Sequence, residues 1–320
     1  MLCNIETLRN PILPEELAAL RPTLPDLQGR ALLSVRAHTD QVHFIKMGNW
    51  DYINWEFYIY SYVQRACQFP VICERHIDFG AGAGSHALVL HKVVCFNIEE
   101  SRDCPSVLFR NGPFPYNIVA WCAKRLILAM EKLHQQDVLH CDIHPGNVGV
   151  TRSWSVWETI LEGKTVDEPI RPVFIDYQWA RMNGFHPKLA GSEGASCLAW
   201  AYASDRALRL EAPYSDVYDV ESLSYVLLTL RMGSHPPWFA EVKSRSLDVE
   251  DFENYSEILR IRDRALSNMS AEATVEPELL AFIHQARHLS PTEAIDYKWW
   301  ADVFDVTVSP EELEQFFYGP

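Results

Sequence analysis

The segment from Val138 to Asn147 contains the polar residues with the clearest chemical potential. It reads V-L-H-C-D-I-H-P-G-N and directly follows a stretch of helical periodicity that ends at His134. The carboxylate of Asp142 could orient an attacking hydroxyl group, and the side-chain oxygen of Asn147 could bind a metal ion beside it, as phosphoryl transfer requires. Because His, Asp and Asn are also frequent in turns, this loop alone does not distinguish catalysis from a structural turn.

This loop resembles the catalytic loop H-x-D-x-x-x-x-N of the protein kinase-like superfamily. The resemblance implies that Asp142 acts on the acceptor hydroxyl group, that Asn147 binds Mg²⁺ and that His140 is a structural residue. His144 stands where Ser/Thr protein kinases carry a lysine, and we expect it to contribute to catalysis as a weaker phosphate ligand. The sequence D-I-H-P-G-N also resembles the corresponding motif of aminoglycoside and choline phosphotransferases.

Two further segments extend the resemblance. The segment 173–177 reads V-F-I-D-Y and is similar to the strand before a D-F-G motif, which implies that Asp176 is the second Mg²⁺ ligand. A carboxylate that merely caps this strand is the alternative. The segment 42–46 reads V-H-F-I-K and resembles the V-A-I-K strand, which implies that Lys46 contacts the phosphates of ATP and pairs with Glu56. The spacing between Lys46 and Glu56 is short, and a surface lysine with a solvated glutamate is the alternative.

The fourth match lies at 218–228, which reads Y-D-V-E-S-L-S-Y-V-L-L. It is similar to the start of the central helix in the helical lobe of kinases, and this implies that Asp219 hydrogen-bonds the backbone of the catalytic loop. The sequence of this segment most resembles that of fungal-type kinases and of the casein kinase one and vaccinia-related kinase branch. The segment I-D-Y-K at 295–298 resembles the terminal P-D-Y segment of the same branch. Four ordered motifs therefore predict a kinase-like fold that uses ATP and Mg²⁺.

Several departures from the family pattern bear on function. The glycine-rich phosphate loop is missing before Lys46, and the segment 80–84, G-A-G-A-G, follows the predicted helix and is interpreted as a hairpin turn. Cys141 replaces the arginine that pairs with an activation-loop phosphate, so we expect no regulation by phosphorylation of that loop. Leu198 and Ala199 replace a G-T pair that helps to seat a peptide. Three functions stay open: a Ser/Thr protein kinase, which we favour, a small-molecule kinase, and a pseudokinase scaffold.

The remaining pattern predicts an α+β, two-lobed fold with a small antiparallel-sheet N-lobe and a larger, mainly helical C-lobe. The predicted strands are 32–35, 42–45, 71–77, 87–94, 148–150 and 173–175. The predicted helices are 54–68, 118–134, 219–232, 277–288 and 310–317. The predicted divisions are an N-terminal extension (1–26), the N-lobe (27–91), a hinge (92–97) and the C-lobe (98–320) with an insertion (152–171). The resemblance places adenine near the hinge, beside Leu90 and Val93.

Composition limits the classes of protein and the partners. The 320 residues include 28 basic and 43 acidic side chains, for a net charge of −15, which argues against a nucleic-acid binder. Hydrophobic residues make up 48%, so a large core can form. No segment approaches the ~18 apolar residues of a membrane span, and the first residues lack signal-peptide features. We therefore expect an intracellular protein, cytoplasmic or nuclear, with a protein or small-molecule phosphate acceptor. The insertion either packs on the C-lobe or docks a protein partner.

Overall fold

A four-stranded antiparallel sheet with one helix precedes a larger, mainly helical region, so the fold is α+β. The computed structural model describes residues 31–36, 42–48, 50–67, 69–70, 72–78, 86–90, 93–96, 111–152, 170–186, 200–209, 214–248, 252–272 and 275–319. The N-terminal extension, the glycine-rich segment 80–84, the pair at 198–199 and most of the insertion lie outside these residues.

The sheet has the strand order β1-β2-β4-β3, and every neighbouring pair is antiparallel. Its strands are β1 (Ala31–Arg36), β2 (Val42–Gly48), β3 (Cys73–Asp78) and β4 (His86–Leu90). The interior position of β2 places Lys46 between two neighbouring strands, opposite Leu32 on one side and Leu88 on the other. A side chain from this strand can therefore reach a buried site.

Helix α1 (Trp50–Ala66) packs on this sheet through β3 and β4. It begins four residues before the predicted start at Asn54, because Ile53 is already part of the buried face and Asp51 stabilises the first turn through the helix dipole. The predicted position of Glu56 at the beginning of this helix is therefore wrong. Glu56 lies in the second turn, where its side chain points into the core and is fully buried.

Two smaller sheets connect the four-stranded sheet to the helical region. One has the order β5-β7-β8, with β5 (Val94–Cys95), β7 (Val148–Arg152) and β8 (Ile170–Phe174); the other pairs β6 (Val138–Leu139) with β9 (Arg181–Met182). The predicted strand 87–94 is wrong as one element, since β4 ends at Leu90 and β5 pairs with β7 instead. The boundaries of the predicted insertion are also corrected, because Arg152 pairs with Ile170 inside the β7–β8 hairpin.

The helical region is built around two long helices, α2 (Tyr116–His134) and α4 (Asp216–Met232), which contact each other. The other helices are α3 (Asp205–Leu208), α5 (Pro237–Ser244), α6 (Tyr255–Glu272), α7 (Pro277–His288), α8 (Tyr297–Val303) and α9 (Pro310–Tyr318). Almost every residue of α4 is buried, so it forms the centre of this region.

Two properties of the described residues bear on the class of protein. None of the helices within the described ranges has both the length and the apolar character of a membrane span. The cysteines in those ranges are buried and carry free thiols; they are Cys67, Cys73, Cys95, Cys122 and Cys141.

Candidate functional site

Lys46 is a buried ammonium group held between two carboxylates. Its Nζ atom lies 2.7 Å from Oε2 of Glu56 and 2.6 Å from Oδ1 of Asp176. Burial by itself would lower the pKa of Lys46, but the charges of Asp176 and Glu56 outweigh this effect and raise the pKa above its ordinary value. Lys46 is therefore charged at neutral pH, and its ammonium group has a fixed position.

Helix α1 is attached to the segment that carries Asp176. Tyr60 follows Glu56 by one helical turn, so both side chains lie on the same face of the helix. The hydroxyl group of Tyr60 accepts a hydrogen bond from the backbone N–H of Asp176 at 2.9 Å. The indole Nε1 of Trp55 donates to the backbone oxygen of Ala180 at 2.8 Å. These bonds, together with the ion pairs of Lys46, fix α1 relative to Asp176.

Asp176 has a left-handed backbone conformation, with φ of 62° and ψ of 67°. A residue other than glycine adopts this conformation at a cost in free energy, and the surrounding structure must hold it there. The bond to Tyr60 supplies one restraint, and Oδ1 of Asp176 accepts a second hydrogen bond from the backbone N–H of Gln178 at 3.4 Å. The chain therefore turns away from β8 at this residue, and its carboxylate contacts Lys46.

Asp219 of α4 organises the backbone of the 138–147 loop. Its Oδ2 accepts a hydrogen bond from the N–H of His140 at 2.6 Å, and its Oδ1 accepts one from the N–H of Cys141 at 3.0 Å. Cys141 also has a positive φ, of 64°, so the loop is strained at the residue before Asp142. Asp219 is fully buried and makes the backbone contacts that the resemblance led us to expect.

The imidazole of His140 joins this loop to the end of β8. Its Nδ1 accepts a hydrogen bond from the backbone N–H of Asp142 at 3.4 Å, and its Nε2 lies 3.0 Å from the carbonyl oxygen of Ile175. A carbonyl oxygen can only accept, so Nε2 carries the proton. Burial lowers the pKa of His140 and keeps the ring neutral. His140 therefore positions Asp142 relative to the residue before Asp176.

Asp142 and Asn147 form a hydrogen-bonded pair. Nδ2 of Asn147 donates to the backbone oxygen of Asp142 at 2.9 Å and to its Oδ2 at 3.1 Å. Nε2 of His144 lies 3.9 Å from the same Oδ2, beyond hydrogen-bond distance, while its Nδ1 accepts from the N–H of Gly146 at 3.1 Å. The imidazole of His144 is thus beside the Asp142 carboxylate and partly exposed.

The β7–β8 hairpin brings Asn147 close to Asp176. Val148, the first residue of β7, pairs with Phe174, the last residue of β8. The residues just outside this pair continue the contact, because the N–H of Ile175 donates to the oxygen of Asn147 at 2.9 Å. The two residues that the resemblance assigns to the metal therefore lie at the same end of one hairpin.

The donor set at this end of the hairpin suits Mg²⁺. With Nδ2 of Asn147 directed at Asp142, the side-chain oxygen of Asn147 faces away from that carboxylate and can act as a ligand. Mg²⁺ prefers oxygen ligands and is commonly bound through one or two protein side chains together with substrate phosphates. Among the described residues there is no group of three or more His, Cys, Asp or Glu side chains that could hold a metal ion by itself.

The residues predicted to contact adenine lie outside both hydrogen-bonded groups. Leu90 ends β4 and Val93 precedes β5, and both are buried. The segment they border is attached to the loop, because the N–H of Phe96 donates to the oxygens of Pro145 and Val148 at 3.1 and 3.0 Å. Leu90 and Val93 thus border the connection between the four-stranded sheet and the helical region.

Sequence reasoning did not predict the hydrogen bonds by which Trp55 and Tyr60 attach α1 to the segment around Asp176. The only available signal for Tyr60 was its spacing of four residues from Glu56. It also missed a buried network in which Asp205 binds Arg262 and Arg287. Burial of an arginine such as Arg262 has no signature in a single sequence.

No protein-family model matches the chain, and no curated protein matches it either.

Proposed function

We propose that the chain is an ATP- and Mg²⁺-dependent phosphotransferase of the protein kinase-like fold that transfers the γ-phosphate of ATP to Ser or Thr of proteins. In this proposal the four-stranded sheet and α1 form the small lobe, and the helical region forms the large lobe. The observation that carries it is the position of Lys46, whose Nζ lies within 2.7 Å of Glu56 and 2.6 Å of Asp176. A lysine that binds nucleotide phosphates has to be charged and fixed next to the metal-binding carboxylate.

Each site residue has a distinct role in the proposed reaction. Lys46 binds the α- and β-phosphates, and Glu56 orients its ammonium group. Asp142 positions the acceptor hydroxyl group and takes up its proton. Asn147 and Asp176 hold Mg²⁺, which when bound neutralises charge on the phosphates. The rate then arises from positioning and electrostatic stabilisation rather than from covalent chemistry.

The proposed enzyme does not need phosphorylation for activity. Cys141 occupies the arginine position of the H-R-D motif, and burial raises the pKa of its thiol, so it carries no charge that could bind a phosphate. Asp219 and His140 instead hold the loop through their own hydrogen bonds. Asp142 is thus positioned without a phosphorylated segment.

A second candidate is a small-molecule phosphotransferase with the same cleft, and His144 favours it. Its ring lies 3.9 Å from the Asp142 carboxylate, where protein kinases carry a lysine. A neutral imidazole supplies a hydrogen bond but no fixed positive charge. The acceptor group beside Asp142 could then be the hydroxyl group of a small alcohol.

A thermal melt with and without Mg·ATP is the first test. Ligand at about one hundred times its Kd adds ~2.7 kcal/mol to the free energy of unfolding, which is roughly 5 °C for a chain of this size. We expect this shift in the unchanged protein and in Asp142→Asn, and its loss in Asp176→Asn. Asp302→Asn, an exposed carboxylate on α8, is the matched control and should keep the shift.

Phosphate transfer from labelled ATP then separates the candidates. Asp142→Asn should abolish transfer while the thermal shift remains. Transfer to proteins supports the first candidate, and transfer to small alcohols alone supports the second. If neither Mg·ATP nor ATP shifts the melting temperature, the catalytic proposal is wrong, and a pseudokinase scaffold takes its place.

A further inference from the structure

A cavity of about 560 Å³ lies between α3, α6 and α7. None of its lining residues belongs to the Lys46 cluster or to the Asp142–Asn147 pair. Its volume falls within the range of small-molecule sites in proteins, roughly 300–1,000 Å³. The cavity is therefore a candidate ligand site that the proposed phosphotransferase does not use.

The walls of the cavity carry an excess of positive charge. Three arginines line it, Arg206, Arg209 and Arg287, against two carboxylates, Asp205 and Asp263. Both carboxylates are paired with Arg287, and Asp205 is also paired with Arg262, so their negative charges are compensated. In a chain with a net charge of −15, this local excess favours an anion.

Asp205 and Arg287 of the cavity lining belong to an ionic network. Asp205 accepts a hydrogen bond from Nη1 of Arg262 at 2.8 Å and from Nε of Arg287 at 3.1 Å. Burial would raise the pKa of Asp205, but the charges of Arg262 and Arg287 outweigh it and lower the pKa, so the carboxylate stays ionised. Arg287 is thereby held in one orientation, which reduces the entropy it would lose on binding a ligand.

Two arginines of the cavity lining have donor groups that are available to a ligand. Arg287 uses Nε and Nη2 for its two carboxylates, and its Nη1 makes no hydrogen bond to the described residues. The exposed guanidinium of Arg209 has no hydrogen bond or ion pair within the described part of the chain. Guanidinium groups bind phosphate oxygens in pairs of parallel hydrogen bonds. Two of them with open donors in one cavity fit a phosphate group better than a single carboxylate.

The cavity lining also includes three apolar side chains, Leu266, Leu280 and Ile283, which together are called the apolar wall. An inorganic ion would leave this wall in contact with water, whereas a ligand with a carbon body would cover it. We propose that the cavity binds a small organic phosphomonoester whose phosphate lies against Arg209 and Arg287 and whose body lies on the apolar wall. A sugar phosphate has this chemistry and fits the volume.

The site can be tested by NMR titration of the full chain with glucose 6-phosphate, observed at the methyl groups of Leu280 and Ile283. This probe lacks a nucleobase, so it avoids the proposed nucleotide cleft. We expect saturable methyl shifts, and none with glucose at the same concentration. Arg209→Ala should weaken the apparent affinity about tenfold, the effect of losing one charge-assisted hydrogen-bonded contact.

Arg264→Ala is the matched control, because Arg264 is also an exposed arginine, lies on α6 outside the cavity and pairs with Glu241. It changes the net charge by the same amount and should leave the affinity unchanged. Equal weakening by both variants would reduce the effect to general electrostatics and overturn the site. Unmoved methyl signals at millimolar probe, equal binding of inorganic phosphate, or binding of a phosphoserine peptide alone would also overturn it.

Discussion

The Nζ atom of Lys46 lies 2.6 Å from Oδ1 of Asp176, although 130 positions separate the two residues. Lys46 belongs to the four-stranded sheet, and Asp176 follows β8 in the helical region, so this ion pair joins the two parts of the fold. Glu56 adds a second carboxylate on the same ammonium group, and this one is fully buried. The cluster is stabilising only while its cation is present, since a buried charge that loses its partner is strongly unfavourable.

Replacing Lys46 by methionine should destabilise the fold at neutral pH. The change leaves the buried carboxylate of Glu56 and the partly exposed carboxylate of Asp176 without their cation. Removing one partner of a buried ion pair costs about 3–5 kcal/mol, or roughly 6–10 °C in Tm. The loss should shrink as pH falls and the carboxylates become protonated. Thermal melts across the acid range measure both effects.

Lys298→Met provides the comparison for this prediction. Lys298 pairs with Asp302 at 2.7 Å on α8, but both side chains are largely exposed. Such a surface pair contributes at most about 1 kcal/mol. Equal losses of Tm for the two variants would show that Lys46 is not a buried, essential partner of the two carboxylates.

Asp219→Asn should weaken the loop that carries Asp142. An amide has one acceptor oxygen in place of two, so either the N–H of His140 or that of Cys141 loses its partner. A buried donor left unsatisfied costs about 1–3 kcal/mol. We expect a lower Tm and a loss of phosphate transfer larger than the loss of Mg·ATP affinity, from kinetics and melts on one preparation.

Asp216→Asn is the control on the same helix. Asp216 lies in the first turn of α4, and within the described residues its Oδ1 accepts one hydrogen bond, a local one from the N–H of Val217. It should leave transfer unchanged. A similar loss of transfer in both variants would contradict a specific role of Asp219 in holding the loop.

The helices with regular apolar spacing were predictable from sequence. Helix α7 spans Pro277–His288 as predicted, and α2 extends its predicted range by only two residues at the start. Helix α6 was missed because Arg262 is fully buried within its apolar face and breaks the hydrophobic pattern. Its charge is compensated by Asp205, a residue 57 positions away, which local periodicity cannot reveal.

The site shows the same division between local and distant information. Asp142, Asn147 and His140 lie in one short segment, so their spacing alone placed them together. The contact of Glu56 with Lys46 depended on where α1 begins, which the sequence placed too late. The bond from Trp55 to Ala180 joins residues 125 positions apart and had no signal in the sequence.

Gly149→Ala should separate β5 from β7. A Cβ atom at Gly149 would come within 2.5 Å of the backbone oxygen of Val94 and within 2.6 Å of Cγ1 of Val93. Since the nearest atom belongs to the backbone, the strands themselves must move, and overpacking of this kind costs about 1–3 kcal/mol. Thermal melts measure the loss, and Mg·ATP affinity should fall as well if Val93 borders the nucleotide.

Gly184→Ala separates this steric effect from the general cost of replacing glycine. Gly184 has a φ of +71°, but no atom of the described residues lies within 4 Å of a Cβ placed there. The variant should lose only about 1–2 kcal/mol from its backbone conformation and keep its nucleotide affinity. Two results would contradict the proposed position of Val93: a lower Mg·ATP affinity in Gly184→Ala, or an unchanged Mg·ATP affinity in Gly149→Ala.

Glu221 on α4 should make the stability of the fold depend on pH. Its Oε1 accepts hydrogen bonds from the N–H of Asp205 at 2.8 Å and from the hydroxyl group of Tyr225 at 2.7 Å. Burial, followed by the charge of Asp205, raises the pKa of Glu221 from 4.5 to about 8. Between these values the folded protein keeps a proton that the unfolded chain releases, so stability should fall as pH rises, by up to about 1.4 kcal/mol per pH unit.

Glu221→Gln tests this dependence, because its amide oxygen can accept the same two hydrogen bonds without titrating. Between about pH 5 and pH 8 we expect the Tm of the variant to decline less than that of the unchanged protein, since only the latter loses the stabilising proton. Glu311→Gln, at an exposed position in the first turn of α9, should follow the unchanged protein. If the melting curves of Glu221→Gln and the unchanged protein stay parallel across this range, the buried carboxyl group is ionised in the fold, and the positive charge of Arg262 stabilises it.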